Sequence, residues 1–165
     1  MRRTRVFLLG LVLVSLVEAA RQWNSAPSRV ASHFDAAGRP NAWSSRDELF
    51  IMQVGVTLLI AALFIGIPAL LKSTPASLIN LPNKSYWLAP ERREETMDRL
   101  ASSLEVFACA TVLLLIVVFE LTSLASRGGS LATNYFLPAL VAYLVFTAGW
   151  TVALIRTFAN VPNER

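Results

Sequence analysis

Four stretches of this 165-residue chain are apolar for long enough to cross a membrane, and most polar residues fall between them. A spanning helix needs about 20 mostly apolar residues. The clearest stretch, about 49–71, holds no charge between Glu48 and Lys72. The last, about 132–156, falls where no charge intervenes between Arg127 and Arg156. The third, about 100–125, carries Glu105 and Glu120 near its two ends, and the first, about 6–26, is interrupted by Glu18 and Arg21. None has the regular polar face of a soluble amphipathic helix. Gly55, Gly66 and Pro68 are tolerable inside a spanning helix, where neighbours re-satisfy the backbone. The pattern predicts an all-α integral membrane protein, a four-transmembrane-helix bundle forming one domain over 1–165. Its informative loops are 27–48 and 72–99.

The first stretch has a second reading. Met1-Arg2-Arg3-Thr4-Arg5 is a basic leader, 6–17 an apolar core, and Val17-Glu18-Ala19 a signal-peptide cleavage site. Glu18 is a poor residue for such a site, and the apolar pattern resumes through Ala19, Ala20 and Trp23. A retained helix is therefore expected, with a cleaved signal peptide as the alternative.

Composition sharpens the class. Hydrophobic residues make up 55% and charged residues 16%, against about a quarter charged in an ordinary soluble domain. Disorder and a standard soluble fold are both excluded. The net charge of +4 and pI near 9.8 raise nucleic acid as a partner. The basic residues lie between apolar blocks, however, so membrane topology explains them better and no nucleic acid is expected. Lys and Arg concentrate on the cytoplasmic side of membrane proteins. With both termini inside, that side holds Arg2, Arg3, Arg5, Lys72, Lys84, Arg92, Arg93, Arg99, Arg156 and Arg165, and the other holds Arg21, Arg29, Arg39, Arg46 and Arg127. Ten against five favours N-in and C-in, with loop 27–48 outside and loop 72–99 inside. The single cysteine, Cys109, excludes an internal disulfide and reads as a small packing residue in an apolar block.

Candidate chemistry is sparse. Carboxylates within apolar helices are costly in lipid and therefore candidate functional groups. Glu105 and Glu120 are 15 residues apart, about 22 Å along a helix, so they cannot share a site. Glu18 and Glu120 lie at similar depth on the outer side. With His33 and Asp35 of the outer loop they could converge on a divalent cation or a proton-linked peptide. His33 and Asp35 alone are weak metal ligands. The plainer reading pairs Glu18 with Arg21 or Arg46, Glu120 with Arg127, and Glu105 with Arg99 or Arg156. No hydrolase elbow, phosphate loop, nucleotide fingerprint or zinc-protease helix is present, so neither an enzyme nor a cofactor is expected.

In the outer loop, Ala36-Ala37-Gly38-Arg39-Pro40-Asn41 is a turn by its chemistry. Val30, Phe34 and Trp43 suit a small apolar floor at the membrane surface. The positions Pro27, Val30, His33, Phe34, Gly38, Pro40, Trp43 and Ser45 resemble the N-terminal signature of a bacterial membrane family of largely unassigned role, the domain shared with Sdp-type toxin-immunity proteins. The inner loop, with Pro82-Asn83 and then Tyr86-Trp87-Leu88-Ala89-Pro90-Glu91-Arg92-Arg93, is similar to a segment of short members of that family. Pro90 is expected to open a helix running into the third span. Lys84, Tyr86, Trp87, Arg92 and Arg93 form either an interfacial elbow or a surface for a partner protein or an anionic lipid headgroup.

The resemblance implies a bacterial inner-membrane protein. Its expected role is to bind or sense an extracytoplasmic ligand, a peptide toxin being one class, through His33, Phe34, Asp35 and Trp43, with Glu18 and Glu120 beneath, and to relay to the inner loop. The alternatives are an accessory subunit of a larger membrane complex and a small proton- or ion-linked transporter. The expected partners are the lipid bilayer and a membrane protein or a second copy of the chain.

Overall fold

Three helices pack around one another, a fourth lies chiefly against one of them, and a β-hairpin sits on one end of the group. The computed structural model describes residues 2–131 and 133–161. The elements are α1 (Arg3–Ser25), β1 (Arg29–Phe34), β2 (Pro40–Ser45), α2 (Arg46–Ser73), a 3-10 turn (Ala76–Leu78), the short α3 (Lys84–Trp87), α4 (Arg93–Ala125) and α5 (Thr133–Ala159). The long helices α1, α2, α4 and α5 are each apolar and long enough to cross a membrane. Ala132 and Arg165, used above to place a helix start and a charge, lie outside the described residues.

The buried positions of α1 are Leu8, Val12, Ser15, Ala19 and Gln22. Their 4-3-4-3 spacing makes a narrow seam of coiled-coil type. On α4 the buried positions Ala101, Glu105, Ala108 and Val112 repeat that spacing. The seams meet in a core of Leu8, Val12, Ala61, Ala108, Cys109 and Val112. Ala61 and Ala108 let the backbones approach, as small residues do between membrane helices. Cys109 is buried there. Ser15 and Thr57 exchange a buried hydrogen bond of 3.0 Å between α1 and α2, which satisfies two hydroxyls that lipid could not.

The outer loop corrects the all-α expectation in one respect. It is an antiparallel two-stranded sheet, although the molecule remains mostly helical. Arg29 pairs with Ser45, Ala31 with Trp43 and Phe34 with Pro40, with irregularities on either side of His33. Ser32 is the extra residue in β1 and Asn41 in β2. Bulges of this kind re-aim side chains. Gly38 takes φ 75° in the turn, a conformation a Cβ disfavours. Ser45 then caps α2 in a full capping box with Glu48, the Ser-x-x-Glu signature of a helix start. Three of the eight motif positions in loop 27–48 thus serve folding: Val30 for the core, Gly38 for the turn, Ser45 for the helix cap.

The helix expected to open at Pro90 begins instead at Arg93 and runs without a break to Ala125. Pro90 lies in the turns that precede it.

Candidate functional site

The hairpin is fastened to the bundle, and a cleft opens beneath it. Val30 is buried against Leu49 of α2 and Phe119 of α4. The Ala31 amide donates to Ser126 Oγ at 2.9 Å. The amide of Leu131, in the α4–α5 connection, donates to the Gly38 carbonyl at 2.7 Å. These ties hold both the strand and the turn of the hairpin on the end of α4. Between them lies a cleft of about 420 Å³, within the about 300–1,000 Å³ usual for ligand sites. Leu49, Met52, Val118, Phe119 and Phe136 form its apolar walls, and Ser32, His33, Phe34 and Asp35 of β1 and the turn edge it.

The polar edge is pre-organised. His33 Nδ1 lies 2.7 Å from Asn41 Oδ1; donation by Nδ1 leaves Nε2 of a neutral ring as an acceptor. Asp35 accepts from the backbone amides of Arg39 and Ala37 and from Arg39 Nε, each at 2.9 Å. The Arg39 amide chiefly, with its guanidinium and the Ala37 amide, holds the Asp35 carboxyl below its ordinary range against partial desolvation. A carboxyl lowered in the folded state stabilises the fold above its unfolded pKa of about 3.9 and ceases to do so as pH falls through the folded value. The turn is therefore expected to loosen only in acid below about pH 4. Amide exchange at Gly38 and Arg39, followed from pH 6 to pH 3, checks this; loosening already between pH 6 and 5 would refute it.

The residues expected to gather with His33 and Asp35 do not join them in one ion-binding group. Among the described residues no group of three or more His, Cys, Asp or Glu is placed to hold a metal ion. Glu18 and Glu120 do meet, but through Arg21, whose Nε is 2.6 Å from Glu18 and Nη2 2.5 Å from Glu120. Gln22 adds a 3.0 Å bond to Glu120. Arg127, the partner expected for Glu120, donates to Ser25 Oγ at 2.8 Å. Trp43 does not line the cleft; it stands on the hairpin with 45% of its surface exposed. The apolar floor expected of Val30, Phe34 and Trp43 thus keeps its first two members only. Sequence reasoning missed the far walls, Val118, Phe119 and Phe136, because nothing local in an apolar helix marks which face meets a loop.

At the opposite end, the inner-loop candidates divide. Trp87 is buried, and its indole N–H donates to the Phe158 carbonyl at 2.8 Å. Asn83, at φ 49°, donates to the Ala159 carbonyl at 2.7 Å and the Phe158 carbonyl at 3.2 Å. Together they satisfy carbonyls at the C-terminus of α5, which no intrahelical amide reaches. Arg93 does the same for α2, donating to the carbonyls of Leu71, Lys72 and Thr74. Arg92 donates to the Tyr86 carbonyl at 3.0 Å and lies 4.0 Å over the Tyr86 ring. Trp87 therefore spends its N–H inside the fold and is withdrawn from a partner-facing surface, whereas Arg93 binds the fold through Nη2 but stays partly exposed and Lys84 is exposed.

Glu105 sits in this half too, fully buried. Its carboxylate takes Arg2 Nη2 and Arg5 Nε, each at 2.9 Å, and Thr4 Oγ1 at 2.5 Å. Its expected partners were Arg99 or Arg156; Arg99 instead pairs with Glu95 at 2.7 Å. Arg2 reaches Asp98 at 2.9 Å, and Asp98 reaches Lys72 at 3.0 Å. The start of α1 is thereby locked to α4 and the end of α2.

A family model described as a domain of unknown function, DUF1648, matches residues 10–57. That segment contains most of α1, the hairpin and the first turns of α2, the elements that carry the outer-loop motif. No curated protein and no solved structure matches the chain.

Proposed function

We propose that the chain is a multi-pass protein of a bacterial inner membrane that binds an amphipathic extracytoplasmic ligand, a peptide toxin being the class in view, in the cleft beneath the hairpin. The observation that carries this reading is the cleft itself: apolar walls from three helices under a polar edge of His33, Ser32 and Asp35. An amphipathic peptide would lay its apolar side on Met52, Phe119 and Phe136 and its backbone toward the edge. The N-in, C-in orientation is supported by the end that gathers Arg2, Arg3, Arg5, Lys72, Arg92, Arg93 and Arg99. Relay to the inner loop is supported by α4, one helix whose Phe119 and Thr122 line the cleft and whose Thr96 hydroxyl donates to the Trp87 carbonyl at 2.7 Å. The resemblance to Sdp-type immunity proteins supports the choice of ligand class.

The test is binding of a panel of amphipathic peptides to the detergent-solubilised protein. A peptide that saturates the wild type should bind Met52→Trp, which fills the cleft, at least about tenfold more weakly. Equal affinity in the two would overturn the reading.

One observation favours a second reading, an accessory subunit. Helix α5 packs chiefly on α4, and none of its most apolar stretch is buried. A stoichiometric partner co-purifying through α5 would support it. The transporter reading gains less support, because Glu18, Glu105 and Glu120 all have cationic partners.

A further inference from the structure

A second cavity, at the end of the bundle opposite the hairpin, has the chemistry of a phospholipid site. It measures about 570 Å³ and lies between α4 and α5, with Arg2 at its border. Its apolar wall is Trp150, Ala153, Leu154 and Phe158 of α5. Its polar edge is a row of charges of both signs, Arg2, Glu95, Asp98 and Arg99, with the Ser102 and Ser103 hydroxyls below. Trp150 is fixed by a 3.1 Å bond from its indole N–H to the Ser103 carbonyl. Arg2 holds Asp98 and Glu105 through its terminal nitrogens, while its buried Nε has no partner.

We propose that this cavity holds a membrane glycerophospholipid with a zwitterionic ethanolamine headgroup, independently of the ligand assigned to the hairpin cleft. Depth supports this: the charged edge lies at the helix ends, where headgroups sit, and the apolar wall continues along α5 toward the bilayer centre. Charge complementarity selects the headgroup. Two guanidinium groups and two carboxylates lie along the edge, and a phosphate with a primary ammonium can insert among them without leaving any charge unmatched. The phosphate meets Arg99, Arg2 and the serine hydroxyls, and the ammonium meets Glu95 and Asp98. The Arg99–Glu95 pair it would rearrange is solvent-exposed, and Asp98, shared between Arg2 and Lys72, is about half exposed; such pairs are weak. An anionic headgroup would draw Arg99 from Glu95 but bring no cation to replace it there. A choline headgroup would bring a cation that cannot donate a hydrogen bond.

Native mass spectrometry of the full-length protein in detergent, titrated separately with dioleoyl phosphatidylethanolamine, phosphatidylglycerol, phosphatidylcholine and inorganic phosphate, tests this. One molecule of phosphatidylethanolamine is expected to bind with about tenfold preference over the other lipids, and inorganic phosphate is expected not to bind. Arg99→Gln should weaken that binding about tenfold by removing a headgroup contact, and Ala153→Phe should weaken it by filling the acyl wall. Neither residue contributes to the buried core, and unchanged melting without lipid confirms that both variants fold. Equal retention of all three lipids, tighter phosphatidylglycerol binding, binding of phosphate alone, or undiminished binding in both variants overturns the proposal.

Discussion

Glu105→Gln is expected to be the most destabilising conservative substitution in the chain, at about 3 kcal/mol. The carboxylate is fully buried and receives two guanidinium groups and one hydroxyl. Burial alone would make an ionised carboxylate very costly. The three donors offset that cost only while the charge remains. The amide removes the charge but leaves Arg2 and Arg5 converging on its place, and uncompensated buried charge is what makes breaking such pairs expensive. Both arginines keep about a quarter of their side-chain surface in contact with solvent, which places the loss at the lower end of the usual about 3–5 kcal/mol. Reversible unfolding in mixed detergent micelles measures it. Arg5→Gln should cost less, because Arg2 and Thr4 still serve the carboxylate. Replacing Arg2, Arg5 and Glu105 together by leucine should recover much of the Glu105→Gln loss, since well-packed apolar residues often equal a buried ion network. A Glu105→Gln protein as stable as the wild type would show that the network contributes nothing net.

Trp87→Ala is expected to cost about 3–5 kcal/mol and to free the end of α5. The indole is buried, stacks edge-on with Phe158 at 5.5 Å and donates to the Phe158 carbonyl. Its loss removes a large buried surface and reopens a helix-end carbonyl at once. The effect concentrates on α5 because that helix packs chiefly on α4 and gets its fastening at this end from Asn83 and Trp87. Trp87→Phe keeps the ring but not the N–H, and should cost about 1–2 kcal/mol. Deuterium labelling of the amides in the last turn of α5 reads the release: fast in Trp87→Ala, slow in wild type. Slow labelling in both would mean that α5 is held by α4 alone.

Both substitutions act at the end of the bundle opposite the hairpin. The inner-loop segment looks like a recognition motif because it gathers aromatic and basic residues in one short stretch. In the folded chain, Trp87, Asn83 and Arg93 instead tie off the ends of α5 and α2, where carbonyls left open in a membrane would be expensive. The outer-loop motif divides more evenly. Val30, Gly38 and Ser45 build the hairpin and start α2, while His33 and Phe34 remain at a cleft.

The four apolar stretches, the turn at Gly38, the cap at Ser45 and the uneven distribution of Lys and Arg are all legible in the sequence, because each rests on residues within one turn or one span of each other. Helix length, positive φ and capping are local physics. What only the tertiary structure decided is which residues meet. Glu105 finds Arg2, Thr4 and Arg5 about a hundred positions away, and Glu120 finds Arg21 instead of Arg127. Those choices follow from which faces of α1, α2 and α4 interlock, and that is set by small residues such as Ala61 and Ala108 at the helix crossings. The hairpin escaped the sequence reading for the same reason. Its strands are short, bulged and only partly apolar, and what holds them is contact with Phe119, Ser126 and Leu131 at the far end of another helix and its loop.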